Sequence, residues 1–380
     1  MTLHSRAAAV LLLLGVCSPA IASGPGWVTA YYTGWRQGRL APEQIDYDAV
    51  THVAHFSVIP RADGSLDAAA NGLTPKNVSA AVHSAHEAGK KVLFTVGGRG
   101  TRAAFASAMS RQNRDVFVAS LIRFLRENRY DGIDVDMEEI TPGDARDYAA
   151  FIKELRDRLD TISPRPLLTA AVLWEPGLFA QLAGRFDQIN IMTYNLSGPY
   201  PGWVAWHNGP LYDGSMRFPQ KKAGLPSVDG LVKAFVAAGV PRAKLGVGLS
   251  FNASVWTGDV SGPGEAWKSP PQVKSLPYYA IADAYKIKEY DYAHPAYRWD
   301  PRAQAAYLTY PSLNGSDAQF ISYANEVTAE TMGRYVRAQG LGGMIIWDLG
   351  AGYRADLPAG QRDLLLQSVK KARYAPEGRP

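Results

Sequence analysis

Asp131, Asp134, Asp136 and Glu138 lie within one short stretch, YDGIDVDMEEI, residues 130–140. Ile133, Val135 and Met137 alternate with the last three acids. A β-strand sends residues two apart to the same side, so Asp134, Asp136 and Glu138 must share one face. Carboxylates at close range repel, and burial penalises each charge, so such crowding costs stability unless it serves a purpose. It also raises carboxyl pKa values, which is what a general acid working near neutral pH requires. An ion-pair network inside a barrel is the alternative. The spacing D-x-x-D-x-D-x-E is more particular than a stray acid pair.

The acids need elements to hold them. Short β-rich runs recur at 27–35, 51–59, 91–98, 132–138, 167–174, 188–195, 244–251 and 342–349. Amphipathic helical patterns fall between most of them, at 77–90, 114–128, 144–159, 228–239, 328–340 and 359–372. Eight strands alternating with helices, without a low-complexity linker, predict an α/β fold: one (β/α)8 TIM barrel. The carboxylate run is its fourth strand, which sets Glu138 at the upper rim, where active sites of this architecture form. About 70 residues, 258–326, interrupt the rhythm after the seventh strand and are rich in Tyr, Trp and Pro. They read as a small inserted α+β subdomain beside the barrel mouth. The final residues, KKARYAPEGRP, read as a frayed tail.

The chain has 380 residues, 47% of them hydrophobic, enough for a large core. A formal net charge of +5 is small and dispersed, and suggests no nucleic-acid partner. Residues 1–22 have the layout of a secretory signal: Arg6, an apolar run from Ala7 to Val16, and Ala20-Ile21-Ala22 as a small-residue cleavage site. That run is too short to span a bilayer, and no later segment is long and apolar enough. Domain 23–380 is then expected as the mature catalytic unit. The sole cysteine, Cys17, falls inside the signal, so neither disulfides nor thiol chemistry are expected. Localisation is expected to be extracellular or periplasmic, without membrane attachment after cleavage, and the protein is expected to be a monomer.

DGIDVDME resembles the signature of the family 18 glycoside hydrolases, the chitinases and their relatives. KVLFTVGG is similar to that family's third-strand motif, with Thr95 where Ser is usual. MTYNLSGP is similar to the sixth-strand motif, and GGMIIWDLG to the eighth. The 258–326 stretch resembles the insertion of the deep-groove members. The resemblance covers the chain after its signal. It implies a hydrolase of β-1,4-linked N-acetylglucosamine polymers that retains configuration, the substrate's own 2-acetamido oxygen closing onto the anomeric carbon. Glu138 would be the acid. Asp136 would raise its pKa, hold the acetamido N–H and offset positive charge. Asp134 would share a proton with Asp136, and Tyr194 would point its hydroxyl at the acetamido oxygen. Trp347 would floor the sugar ring, with Tyr31, Phe56, Gly97, Gly98, Met192 and Asn195 completing the substrate site. No metal or organic cofactor is implied. Hydrolysis of another acetamido glycan (peptidoglycan or an N-glycan core) and a non-catalytic chitin-binding lectin are the rival readings.

Other aromatics at or after strand ends, Tyr32, Trp35, Trp174, Trp203, Trp206, Trp256 and Trp299, could stack on sugars or simply fill the core. Asp131 is read as holding its loop. His83 and His86 are read as a solvated helix face, and His52 and His55 as barrel residues. GVG at 246–248 lacks the rest of a dinucleotide fingerprint. Three positions depart from the family's habit: Asn195 for Asp, Arg99 for Trp and Met137 for an aromatic. An uncharged Asn195 is expected to let Glu138 lose its proton at lower pH than in relatives with Asp there. Arg99 is expected to remove a stacking platform.

Overall fold

The computed structural model describes residues 26–288 and 292–374. The expected signal, 1–22, lies outside them.

Eight strands form a closed parallel ring: β1 Trp27–Thr33, β2 His52–Pro60, β3 Lys91–Gly97, β4 Gly132–Asp136, β5 Leu167–Val172, β6 Gln188–Ile191, β7 Leu245–Ser250 and β8 Gly343–Trp347. Each pairs with its successor, and β8 closes onto β1 through Trp27↔Gly343. The expected barrel is present. Parallel neighbours need crossovers, and amphipathic helices supply them. They run at Pro75–Glu87, Arg114–Glu127, Ala145–Leu159, Pro176–Leu182, Val228–Ala237, Glu326–Ala338 and Leu364–Tyr374. Alternation along β4 sorts its residues. Ile133 and Val135 join the large core between strands and helices, while Asp134 and Asp136 point the other way.

Some elements differ from the sequence reading. β1 is followed by three short 3-10 turns, in a stretch where the sequence shows no helical pattern. β4 stops at Asp136 and β6 at Ile191, so Glu138, Met192, Tyr194 and Asn195 sit on the loops that leave the strands. The last helix runs through Tyr374, into the expected tail. Leu365, Leu366, Val369 and Ala372 bury its inner face, and Lys370 pairs with Asp46 at 3.0 Å. Residues 375–380 lie outside the described chain.

After β7 a five-stranded antiparallel sheet is inserted, in the order Gln272–Pro277, Asn252–Gly258, Ala318–Tyr323, Ala305–Tyr310, Tyr297–Asp300. It starts at Asn252, ahead of residue 258. Its inner strand Asn252–Gly258 follows β7 almost without a break, so sequence patterning shows no boundary there. The long loop after β6 is fastened to this sheet by Asn208. Its backbone N–H donates to Ser322 Oγ (2.9 Å) and its Nδ2 to the Asn252 carbonyl (2.8 Å). His207 adds contacts of 3.2 Å to Ser322 and Asp300. Among the described residues, no helix is long and apolar enough to cross a membrane.

Candidate active site

Asp134 is fully buried, at the level of Thr95 on β3 and Thr169 on β5 in the strand register. Three hydroxyls donate to its carboxylate: Thr169 at 2.6 Å, Tyr31 at 2.9 Å and Thr95 at 3.1 Å. Burial pushes its pKa up, and the hydroxyls pull it partly back. With both oxygens so engaged, Asp134 is a fixed anchor.

Asp136, one layer higher, pairs instead with Glu138. The two carboxyls are in side-chain hydrogen-bond contact, which raises Asp136 and lowers Glu138. Asp134 acts on Asp136 through its charge, and the side-chain hydrogen-bond contact of Asp136 is with Glu138. Burial raises both groups. The negative charge of Glu138, then that of Asp134, drives Asp136 well above the ordinary carboxyl range. Asp136 Oδ1 is buried with no partner among the described residues. An orphaned acceptor of this kind costs about 1–3 kcal/mol, recoverable by a ligand that brings a donor.

The backbone beside the pair is held by glycine. Gly98 N–H donates to the Asp136 carbonyl at 2.8 Å. Gly97 has φ +111°, and a Cβ there would lie 2.1 Å from that carbonyl oxygen. Gly97→Ala combines a left-handed penalty with a backbone clash. It should lose about 3 kcal/mol or more of stability, read as a clear drop in the thermal midpoint. A midpoint equal to that of the parent would show that the turn tolerates a side chain.

Aromatic side chains wall the mouth. Trp347 lies edge-on to Phe56 (4.8 Å between centroids) and to Tyr31 (5.5 Å), and Trp35 is edge-on to Phe56 (5.8 Å). Tyr31, Phe56, Met192 and Tyr194 form one apolar cluster inside the barrel, with Trp347 packed on it. Gly248 makes room for the Tyr194 ring, since a Cβ there would sit 2.6 Å from Cε1. That close packing explains Gly248, while Gly246 is crowded by Asn190 and Trp27. Burial, then the charges of Asp136, Glu138 and Asp134, keeps the Tyr194 phenol protonated and able to donate. Glu138 borders two adjoining clefts. One, of about 510 Å3, carries Trp35, Phe56, Arg99 and Trp347. The other, of about 410 Å3, carries Met192, Trp174, Glu139 and Glu175.

Asn195 takes φ +54°, a conformation Asn tolerates, and its N–H donates to Asn208 Oδ1 at 2.6 Å. Its side chain is exposed. The influences on Glu138 are burial first, then the Arg99 cation, the Asp136 hydrogen bond and the Glu139 charge. Asn195 is uncharged and exposed, and the cation that acts on Glu138 is Arg99. A cation favours the carboxylate and holds the pKa of Glu138 down. Removing it lets that pKa rise, so the acid keeps its proton to higher pH. Arg99→Leu should therefore move the alkaline limb of kcat upward, and Asn195→Asp should move it much less. A pH–rate profile in which Asn195→Asp gives the larger shift would reverse this assignment.

The remaining candidates separate by exposure. Trp35 and Trp174 are 50% and 46% exposed along the clefts. Trp206 and Trp256 are core. Tyr32 is also buried, its hydroxyl donating to the Leu40 carbonyl at 2.6 Å. Trp203 packs on Tyr200 and Phe218, and Trp299 is half-buried in the inserted sheet. Asp131 holds its loop, as expected, accepting from Val92 N at 2.8 Å and Lys91 Nζ at 3.0 Å. His86 is not simply a solvated face: its Nε2 lies 2.9 Å from Asp131. His83 faces solvent beside Glu87. His55 is buried between Gln37 and Tyr130 and its pKa is depressed to about 3 by burial. Among the described residues, no cluster of His, Cys, Asp and Glu could hold a metal. Sequence reasoning missed Thr169 and Glu139. A signal for Thr169 exists, a polar residue of inward parity on the next strand, but only the strand register connects it to Asp134.

The sequence profile of the glycosyl hydrolases family 18 matches residues 28–352. A "probable endochitinase" of Caenorhabditis elegans is 30% identical over 84% of this chain and 55% of its own length. A "chitinase-like effector" of Moniliophthora perniciosa is 25% identical over 90% of this chain and 85% of its own. The Group IV chitinase structure of Ostrinia furnacalis superposes with a TM-score of 0.77 at 20% identity, covering 92% of this chain and all of that one.

Proposed function

The chain belongs to glycosyl hydrolase family 18, and on that premise we propose that it hydrolyses β-1,4-linked N-acetylglucosamine polymers through the substrate's own acetamido group. One observation carries the mechanism. Asp136 and Glu138 are in direct hydrogen-bond contact. Paired-carboxylate glycosidases hold their acids about 5–5.5 Å apart when retaining and about 6.5–9.5 Å when inverting. Two carboxyls in hydrogen-bond contact lie closer than either of those spacings. Asp134 cannot substitute as nucleophile because three hydroxyls hold it. Both observations support a nucleophile that comes with the substrate.

The steps follow from the residues. The acetamido N–H of the bound sugar is the donor that the orphaned Asp136 Oδ1 lacks. Accepting it favours Asp136 as the anion and leaves the proton on Glu138. Glu138 gives that proton to the glycosidic oxygen as the bond breaks. The acetamido oxygen, oriented by the Tyr194 hydroxyl, closes on the anomeric carbon, and the Asp136 anion offsets the charge of the cyclic intermediate. Water then opens the ring on the same face from which the leaving group departed, with the Glu138 carboxylate taking its proton. Trp347 and Phe56 supply the apolar surface against which the ring lies.

Incubation with chitin oligosaccharides, followed by mass analysis of the products, tests the activity. Shorter N-acetylglucosamine oligomers support it. Binding without cleavage would favour the lectin reading. The N-terminal run also supports export with cleavage after Ala22. An exported chain whose mass starts at Ser23 agrees with that, and a retained full-length chain does not.

A further inference from the structure

We propose that Arg99 selects substrates bearing a carboxylate: the cleft on its side of Glu138 is built for an acidic 2-acetamido sugar rather than a uniformly neutral one. The inference rests on the hydrolase reading above and narrows its substrate class. Arg99 follows the Gly97–Gly98 turn at the end of β3, so its backbone is placed by the same close contacts that hold Asp136. Its side chain is exposed and lines the 510 Å3 cleft beside Glu138. Among the described residues it has no ion pair, no hydrogen bond and no aromatic ring to stack on. Among the described residues it is also the only cation lining that cleft. The cleft across Glu138 has the opposite character, with Glu139 and Glu175 on its wall and no cation. The groove is therefore charged differently on its two sides.

A neutral polysaccharide gains little from this polarity. A guanidinium presents a planar fork of donors matched to a carboxylate, and a hydroxyl uses it only in part. A carboxylate on the far side would meet Glu139 and Glu175, so the charge pattern fixes which way an acidic sugar can lie. The acid could be an ether substituent, as in a 3-O-lactyl sugar, or the C6 carboxylate of a uronic acid. Both present the same group to Arg99.

The test uses the full-length enzyme and three tetrasaccharides: chitotetraose, chitotetraose with a single 3-O-lactyl group, and chitotetraose with a single C6 carboxylate. The parent protein should show a KM about fivefold lower for at least one acidic probe. The bond cleaved should shift so that the acidic sugar occupies the Arg99 side. Arg99→Lys should retain part of the preference, and Arg99→Leu should lose it and restore the cleavage pattern of the neutral probe. The preference should also fade between about 0.01 M and about 1 M salt. Which acidic probe responds identifies the source of the carboxylate. Cleavage of all three alike, unchanged in Arg99→Leu, overturns the inference and leaves chitin hydrolysis standing. Binding is read separately by calorimetry in the Glu138→Gln background. An Arg99-dependent preference there, with no cleavage by the parent, keeps the selectivity and sinks the hydrolase reading. No cleavage and no preference sinks both.

Discussion

Glu138→Gln is expected to fold like the parent and to lose about 10²–10⁴ in kcat on chitin oligosaccharides. Glutamine keeps the shape and the hydrogen bond to Asp136 but cannot pass a proton to the leaving oxygen. The variant should not lose stability either. Burial and the neighbouring charges hold Glu138 and Asp136 above the ordinary carboxyl range in the folded state. Groups of that kind stabilise the fold below their unfolded pKa values, and that contribution fades as pH rises through the folded ones. At neutral pH the pair is therefore a burden, and a neutral amide relieves part of it. Thermal melts and initial rates on one preparation separate the two effects. Near-parental turnover would remove Glu138 from the acid role, and a large fall in melting temperature would make the rate loss uninformative about chemistry.

Replacing the 2-acetamido group of the substrate by hydroxyl should be still more damaging. Cellulose oligomers have the same backbone and ring faces for Trp347 and Phe56 but no internal nucleophile. Well-positioned intramolecular groups act at effective molarities of about 10⁵–10⁸ M, so the loss in kcat should exceed about 10⁴. The site offers no replacement. Asp136 is bonded to Glu138, and Asp134 is held by Thr169, Tyr31 and Thr95. Binding need not fail in proportion, because stacking is retained. Competition of cellulose oligomers against a chitin substrate reads it independently of turnover. Efficient cellulose hydrolysis would require a carboxylate nucleophile that this geometry does not supply.

The barrel was legible because its strands and most of its helices carry strong periodicity. The acids of β4 were legible because alternation puts Asp134 and Asp136 on one face with no apolar reason to be there. What stayed hidden depends on register and on loops. Thr169 meets Asp134 only because β5 pairs with β4 at that level. The contact between Asp136 and Glu138 depends on where β4 ends and its loop turns. The loop after β6 has no periodic signal, and Asn208 fastens it to a sheet more than forty residues away in sequence. Asn195 drew attention as a departure from a motif, yet its side chain faces solvent. Arg99, noted only for the ring it replaces, lies within electrostatic reach of the acid.

Proton NMR of the first product released from chitotetraose, recorded before mutarotation, tests the central claim most directly. Ring closure by the acetamido oxygen followed by water inverts the anomeric carbon twice, so the new reducing end should appear as the β-anomer. Appearance of the α-anomer would mean a single displacement by water, and would contradict substrate assistance at the Asp136–Glu138 pair.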